Sequence, residues 1–389
     1  MMIYFDNSAT TKISDEALAR YVEVSRECFG NPSSLHSEGF RAEKLLDLAR
    51  ADVMRALGAS DSTLIFTSSG SEANNLAILG RAYAKERFRK GGKIITSEGE
   101  HASVTAPIEA LEKSGFRAVK IPTRNGELDM EALERELDEQ VFLVTLMMVN
   151  NETGALYDIA KAARLIKARA KNAVLHIDAT QSFMKIPFSM ASLGADMITV
   201  SSHKIEGPKG VGALAVSNSL IKSLGLAPII FGGGQEGGLR SGTENVPAIC
   251  AFAEAVNIAR KNLEKNRAQC EALREYLIEK ISCDGELSAI SITNPKSHAP
   301  HIVNLTLPGI KSETVLHFLS ARGIFVSSGS ACSSNSRQVS SALVAYGRGV
   351  DEAEASIRVS FSHRNTKDEV DALSDALREA LSTLARIRK

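Results

Sequence analysis

Three side chains that could take part in catalysis follow the ends of strand-like segments in the middle of the chain. Asp178 ends VLHID, Lys204 comes shortly after ITVSS, and His101 follows KIITS. Each has a common structural role when taken alone, as a helix cap, a solvated cation and a hydrogen-bonding partner. The carboxyl ends of parallel strands form one edge of a sheet, where open α/β sheets bind their ligands. We therefore expect an acid, a base and an amine to lie close together.

A fourth feature at the same predicted edge is typical of a phosphate site. The segment SGSEANN follows the strand-like TLIFTS and opens a helix. Free backbone N–H groups and the helix dipole favour an anion at such a turn. With the acid, the base and the lysine, this turn completes the parts of a pyridoxal phosphate (PLP) site. In such a site a lysine binds the cofactor covalently and an acid faces its ring nitrogen.

The elements that must position these groups are short apolar runs, most of them alternating with helical patterns. This alternation predicts an α/β fold with a mainly parallel seven-stranded sheet and helices on both faces. Only HKIEGPKG separates the last two runs, which is too short for a crossover helix, so the seventh strand should run antiparallel to the sixth. The runs are TLIFTS (63–68), KIITS (93–97), FRAVKIP (116–122), FLVTLMMV (142–149), VLHIDAT (174–180), ADMITVSS (195–202) and GVGALAVS (210–217).

The last third of the chain predicts a smaller α+β domain. A long helical pattern covers 247–281, and further strand-like runs precede a terminal helix that begins near 367. Thr366 with Glu369 fits a capping box for that helix. We predict a large domain at 15–255. The small domain combines 1–14 with 256–389.

Composition excludes several classes of protein. Apolar residues make up 44% of the 389 residues, and 46 basic residues balance 46 acidic ones, so nothing indicates a nucleic-acid or membrane partner. The longest apolar run, 141–149, is far shorter than the roughly 18 residues of a spanning helix. No secretory signal is visible at the N-terminus. The five cysteines are scattered without a CxxC pair, which predicts no metal site, no disulfide scaffold and a reducing cytoplasm.

One cysteine lies in an unusual setting. Cys332 belongs to FVSSGSACSSNS, where small polar residues surround a single thiol. A buried thiol behaves as a small hydrophobe, yet no apolar neighbours follow this one. The segment therefore suggests a thiol with a chemical role on an adaptable tether.

Along nearly its whole length the sequence resembles the cysteine desulfurases, which are class V aminotransferase-type enzymes of PLP fold type I. The segment SSHKIEGPKGVGAL resembles the family's cofactor-lysine segment, and SSGSAC resembles the NifS/IscS type. Further matching motifs follow in the family's order, namely YFDNSATT, GNPSSLHSEG, VNNETG, HIDATQ, GGGQE and LRSGTEN.

The resemblance implies roles for the cofactor contacts. Lys204 would bind PLP covalently, Asp178 would face the ring nitrogen, and Gln181 would reach the phenolic oxygen. His101 would stack on the ring and move protons as a catalytic residue. The phosphate would be held by Gly70, Ser71, Ser201 and His203, and by Thr243 from the second subunit of a homodimer.

The resemblance also implies a substrate and a reaction. Asn151, beside the cofactor, and Arg358 would hold the carboxylate of L-cysteine, since a guanidinium meets a carboxylate with two hydrogen bonds. The thiolate of Cys332 would attack the substrate sulfur. L-Alanine would leave, and the persulfide would pass its sulfur to an acceptor such as an iron–sulfur scaffold protein.

Three features depart from this family, and other functions stay open. Gly237 stands where arginine is usual, Glu206 adds a negative charge beside the lysine, and FSHRNT (361–366) replaces a glycine-arginine turn. A selenocysteine lyase or another β-eliminating PLP enzyme is the near alternative, although a pure lyase has no need of Cys332. A catalytically silent binding subunit is the alternative from another class.

Overall fold

The computed structural model describes residues 2–86, 92–328 and 339–384, in which strands and helices alternate along the chain. The strands are β1 (Ile3–Tyr4), β2 (Ser62–Thr67), β3 (Lys93–Ser97), β4 (Arg117–Ile121), β5 (Val141–Met147), β6 (Val174–Asp178), β7 (Met197–Ser201), β8 (Gly212–Ser217), β9 (Ser291–Thr293), β10 (Ile302–Thr306), β11 (Ile324–Phe325), β12 (Ser327–Ser328) and β13 (Ser356–Ser360).

The helices cover the sheet faces and connect most of the strands. They are α1 (Asp15–Glu27), α2 (Ser37–Leu57), α3 (Gly70–Asn75), α4 (Arg81–Glu86), α5 (Ala102–Lys113), α6 (Met130–Glu136), α7 (Ile159–Arg169), α8 (Met190–Leu193), α9 (Asn218–Lys222), α10 (Val246–Lys261), α11 (Leu263–Cys283), α12 (Ser312–Ser320), α13 (Ser341–Tyr346), α14 (Val350–Glu354) and α15 (Lys367–Leu384). A π-helical turn, Leu76–Gly80, joins α3 to α4. Within the described ranges, every helix is too short or too polar to span a bilayer.

The central sheet has seven strands in the order β2-β8-β7-β6-β5-β3-β4. The five consecutive strands β4, β3, β5, β6 and β7 are parallel to one another, whereas β8 is antiparallel to both β7 and β2. The short β7–β8 connection therefore reverses the chain, as predicted. The mainly parallel α/β sheet predicted from the apolar runs is confirmed.

The strands at the centre of this sheet are mostly apolar because both of their faces are covered. Every residue of β5, β6 and β7 is buried. Parallel sheets with helices on both faces show such continuous apolar runs. The carboxyl ends of β3, β5, β6 and β7 consequently lie at one edge, from which polar side chains can reach a common site.

The C-terminal part forms a second, smaller sheet in the order β12-β13-β10-β9, and its neighbouring strands are antiparallel. The N-terminal strand β1 pairs with β11. Phe5, which follows β1, packs edge-on against Phe361 with ring centroids 5.5 Å apart. The N-terminus thus belongs to the apolar core of this second part. The domain boundaries at 15 and 255 stay a prediction. Residue 255 lies inside α10, so the predicted boundary would divide a helix.

The long helical pattern predicted at 247–281 is helical, but it consists of two helices, α10 and α11, that are separated at Asn262. The Asn262 amide donates to the Ile258 carbonyl at 2.9 Å, and its backbone has φ −109° and ψ 8°. Asparagine side chains compete for backbone groups in this way and so favour helix ends. The capping box of the last helix is confirmed, because the Thr366 and Glu369 backbone N–H groups donate to each other's side chains at 3.1 and 3.3 Å.

Candidate active site

A buried carboxylate lies at the carboxyl end of β6. Asp178 is 6% exposed and accepts hydrogen bonds from the Asn74 amide at 2.8 Å and from the Thr180 backbone N–H at 2.9 Å. The Asn74 amide also donates to Ser103 Oγ at 2.9 Å. Two donors fix the orientation of the carboxylate, which can accept a further hydrogen bond from a protonated ring nitrogen.

Lys204 lies in the turn directly after β7 and is held by the N-terminal segment. Its Nζ donates to the backbone carbonyls of Ser8 at 2.6 Å and Ala9 at 2.8 Å. The Gln181 amide donates to the same Ser8 carbonyl at 2.9 Å. The shared acceptor brings Lys204 beside Gln181. Both are predicted cofactor contacts, and they lie 23 positions apart in the chain.

His101 caps the N-terminus of α5 and connects to Asp178 through a chain of hydrogen bonds. The Ser103 backbone N–H donates to His101 Nδ1 at 3.1 Å, and Ser103 Oγ lies 2.8 Å from the same nitrogen. Burial lowers the pKa of His101; the Asp178 charge opposes this, while the charges of Lys204 and Arg358 lower the pKa further. The ring is consequently neutral near pH 7. Because Nδ1 is an acceptor, Nε2 carries the proton.

A narrow space at the start of α3 has the properties of a phosphate cradle. A Cβ atom at Gly70 would lie 3.3 Å from both Ser201 Cβ and Thr180 Oγ1, so only glycine leaves this space open without displacing its neighbours. Ser201 Oγ and Gln181 Oε1 are buried and lack a hydrogen-bond partner in the described part of the chain. Such atoms are costly unless a ligand completes their hydrogen bonds. The residues therefore fit a polar, phosphate-bearing cofactor such as PLP.

The other predicted phosphate contacts differ in exposure. Ser71 is exposed at the start of α3. The His203 ring lies 3.1 Å from Thr10 Oγ1, and burial, followed by the charges of nearby lysines, lowers its pKa to about 4. Thr243 is exposed on this single chain, as a residue that serves a partner's site would be.

The predicted carboxylate-binding arginine is buried at the junction of the two sheets. Arg358 is 4% exposed; its Nη1 donates to the Asn151 carbonyl at 2.8 Å and its Nη2 to Asp6 at 2.9 Å. Its Nε is buried and has no partner among the described residues. Arg358 and Asn151 are thus brought together as predicted. A ligand carboxylate would have to meet Nε or exchange places with Asp6.

Cys332 lies outside the described residues, but both flanks of its segment are described. On one side β12 pairs with β13, where Ser327 lies opposite Arg358. On the other side Ser340 Oγ donates to Glu152, the residue after Asn151. Both flanks therefore contact elements that carry the predicted substrate contacts.

Two of the features that depart from the resembled family meet in space. The Glu206 carboxylate accepts a hydrogen bond from Arg364 Nη2 at 2.7 Å and lies 3.5 Å from His363 Nδ1. Glu206 has a φ of +64°, which non-glycine residues adopt only at a cost. Gly237 has a φ of +65° and is exposed, and no neighbouring atom would meet a Cβ added there.

Sequence reasoning missed the side chains that support the predicted ones. Asn74 links Asp178 to the His101 cap, Asp6 pairs with Arg358, and the Ser8 carbonyl holds both Lys204 and Gln181. The motif YFDNSATT contains two of these residues. The YFDNSATT motif was therefore the only sequence signal for Asp6 and Ser8, and we had assigned it no chemical role.

Comparison with known proteins gives the same family throughout. The aminotransferase class-V family matches residues 3–373. A protein named cysteine desulfurase IscS 1 from Archaeoglobus fulgidus is 38% identical over 377 residues, covering 97% of this chain and 96% of that protein. A NifS/IcsS protein homolog from Lactobacillus delbrueckii subsp. bulgaricus is 41% identical, covering 99% of both chains.

Comparison with solved structures leads to the same family. One described as a NifS-like protein superimposes with a TM-score of 0.90 at 35% identity, covering 98% of this chain and all of the other. A second, described as SspA in complex with cysteine, has a TM-score of 0.80 at 31% identity, covering 94% of this chain and all of the other. The resemblance seen in the motifs is confirmed at the level of family and fold.

Proposed function

Since the chain belongs to the aminotransferase class-V family and is a PLP-dependent cysteine desulfurase, we propose that it converts L-cysteine to L-alanine and a persulfide on Cys332. The observation that carries this proposal is the meeting of a lysine, a buried carboxylate and a neutral histidine at one sheet edge. Lys204, Asp178 and His101 supply these groups, and Arg358 lies within electrostatic range of His101.

The residues that hold the cofactor follow from the local geometry. Asp178 would pair with the ring nitrogen and Gln181 with the phenolic oxygen, while Lys204 would supply the covalent link. Gly70 leaves the space for the phosphate, whose contacts would be Ser71, Ser201, His203 and the partner's Thr243. When bound, PLP supplies an electron sink that stabilises negative charge at the substrate carbon.

The chain's own groups would then divide the remaining work. Arg358 and Asn151 would orient the substrate carboxylate, and this fixes the α-proton with respect to the lysine amine and the imidazole. In its neutral form His101 presents Nε2–H and would donate a hydrogen bond at the reacting atoms; as a base it would have to use Nδ1, which accepts from the Ser103 N–H. The lowered pKa of the ring keeps it in this neutral form near pH 7.

Sulfur transfer would be the task of Cys332. Its thiolate would attack the substrate sulfur, so that a sulfur–sulfur bond forms while the carbon–sulfur bond breaks. The bonding electrons stay with the carbon skeleton, which takes up a proton and leaves as L-alanine. The persulfide would then go to an acceptor protein, with an iron–sulfur scaffold as the natural candidate.

We propose that this chemistry takes place in the cytoplasm, where thiols stay reduced. Cys28, Cys250, Cys270 and Cys283 are all free thiols, as expected in such a compartment. The experiment that tests the whole proposal incubates the PLP-loaded protein with L-cysteine and a thiol reductant. L-Alanine and sulfide should form in equal amounts. Turnover of L-selenocysteine that equals that of L-cysteine and does not depend on Cys332 would favour the lyase alternative.

The first prediction concerns the dimer. Thr243→Ala should weaken PLP retention by about 10-fold, since a hydrogen bond to a charged phosphate is lost. If Thr243 serves the partner's site, mixing Thr243→Ala and Lys204→Ala subunits should restore about a quarter of the sites, because half of the dimers then hold one intact site. Activity at limiting PLP measures both effects, and Thr243→Ser is the matched control. A fully active monomer in sedimentation would contradict the shared site.

The second prediction concerns the substrate carboxylate. Arg358→Lys keeps the charge but loses the guanidinium fork, so KM for L-cysteine should rise by about 10- to 100-fold with a smaller change in kcat. Steady-state alanine formation measures this split, and the PLP spectrum should stay unchanged. Arg322→Lys is the control, because Arg322 pairs with Glu379 on the surface. An unchanged KM would remove Arg358 from the substrate site.

A further inference from the structure

A cavity of about 80 Å³ lies behind the cofactor lysine, where the N-terminal segment, α10, α11 and the start of β10 meet. Its volume is well above the roughly 10–15 Å³ that admits one water molecule. Lys204 lies between this cavity and the site described above, since it lines the one and shares an acceptor with Gln181 in the other. About half of the other lining residues are apolar, among them Ile205, Ile258 and Phe361, and the polar ones include Glu206. We call this space the Lys185 cavity, after its most unusual lining residue.

Lys185 brings a buried amine to the cavity. Its Nζ is inaccessible to solvent and has no hydrogen-bond partner within the described ranges. The preceding residue, Met184, has a φ of +56°, a left-handed conformation that is unfavourable for a non-glycine residue. The backbone is therefore held in an unfavourable conformation directly beside the amine. Strain of this kind is typical of functional sites.

His301 brings a second unsatisfied group to the same cavity. Its side chain is 2% exposed, and neither Nδ1 nor Nε2 has a hydrogen-bond partner among the residues that the structure describes. Burial, followed by the charges of Lys185 and Arg358, lowers the ring's pKa well below its usual value. The ring is thus a neutral donor and acceptor. An amine and an imidazole that are buried without partners destabilise the fold unless a ligand or water completes their hydrogen bonds.

The charges around Lys185 favour an anion. Burial, together with the charges of Lys204 and Arg358, lowers the pKa of Lys185 to about 7, while the Glu206 carboxylate acts in the opposite direction. Near neutral pH the amine is consequently close to half protonated. An anion in the cavity would favour the ammonium form, so its binding would take up a proton.

We propose that the Lys185 cavity binds a small aliphatic monocarboxylate, which accepts hydrogen bonds from Lys185 and His301 while its short chain contacts Ile258 and Phe361. An α-amino acid fits less well, because its ammonium group would meet the Lys185 amine. A phosphate ester fits less well too, because much of the lining is apolar. Carboxylate binding here does not require the desulfurase reaction, so it can be tested even on protein that does not turn over.

The test is a calorimetric titration of the PLP-loaded protein with propionate. Saturable binding should occur, and at pH 8 its heat should differ between phosphate and Tris buffers in proportion to the proton taken up. Lys185→Met should weaken binding by about 10-fold or more, since a charged hydrogen bond is lost. Lys261→Met is the matched control, because Lys261 is an exposed lysine at the end of α10.

Two further variants separate the possible outcomes. Removing a buried, unpartnered amine should raise rather than lower stability, so Lys185→Met should fold, and His301→Phe gives an independent loss of binding. Arg358→Lys should leave propionate binding intact. Absence of saturable binding would mean that water alone fills the cavity and would overturn the proposal. So would binding that survives in Lys185→Met but disappears in Arg358→Lys, which would assign it to the substrate site.

Discussion

Cys332→Ser should lower alanine formation from L-cysteine by about three orders of magnitude or more, as expected when a covalent nucleophile is removed. A serine hydroxyl is not ionised near neutral pH, so it cannot attack sulfur as an anion. PLP binding and the spectral change on adding cysteine should stay nearly unchanged, since neither step uses the thiol. The measurements are alanine formation and the mass of the protein after exposure to cysteine, which should increase by one sulfur atom only when Cys332 is present.

The remaining cysteines supply the controls for this experiment. Burial raises the pKa of Cys250 to about 11 and that of Cys270 to about 12, so neither forms a thiolate near pH 7. Cys283 is exposed at the end of α11 and is the best matched control thiol. Cys283→Ser should keep full activity. Sulfur mapped to Cys283 would mean that the wrong thiol had been assigned. Alanine formed at the parent rate without Cys332 would mean that the protein acts as a simple lyase.

Lys204→Ala should abolish the lysine-linked form of the cofactor and lower turnover by about three orders of magnitude or more. The purified parent protein should be yellow, and borohydride reduction should fix the cofactor to the peptide that contains Lys204. In the variant the Ser8 and Ala9 carbonyls lose the hydrogen bonds from Lys204, although Ser8 keeps the one from Gln181, and the PLP that remains should be removable by dialysis. Visible absorption before and after dialysis measures this difference.

Two other lysines make the assignment specific. Lys209 is exposed five positions further along the same turn, and Lys209→Ala should behave as the parent protein. Lys185 is the more serious competitor, because its amine is partly unprotonated near neutral pH and it borders the same space as Lys204. Borohydride labelling of Lys185 in the parent protein would mean that the wrong lysine had been assigned.

Local patterns predicted the central sheet well because its strands are simple in composition. A strand such as β5, buried over all seven residues, is apolar at six of them, and this run is visible without any knowledge of its neighbours. The reversal at β8 was predictable for a related reason, since a connection of eight residues cannot hold a crossover helix. Asp178, Lys204 and His101 followed because strand ends in a parallel sheet converge.

The parts that the sequence concealed depend on contacts between distant positions. Nothing local indicates that Asp6 pairs with Arg358, 352 positions away, or that a carbonyl at Ser8 receives the cofactor lysine. The break at Asn262 was missed because the helical periodicity continues across it. The unpartnered amine of Lys185 was equally invisible, since burial without a partner is a property of the folded chain alone. The domain division and the roles of the site residues stay predictions.

The contact between Glu206 and Arg364 has a consequence for anyone who builds chimaeras of this protein with its relatives. The turn that carries the cofactor lysine and the segment FSHRNT look like two independent surface differences in the printed sequence. In space, however, they are the two halves of one ion pair, and only Glu206 is well shielded from solvent. Grafting either segment alone would leave a charge without its counterpart beside the catalytic lysine. The two segments should therefore be exchanged together.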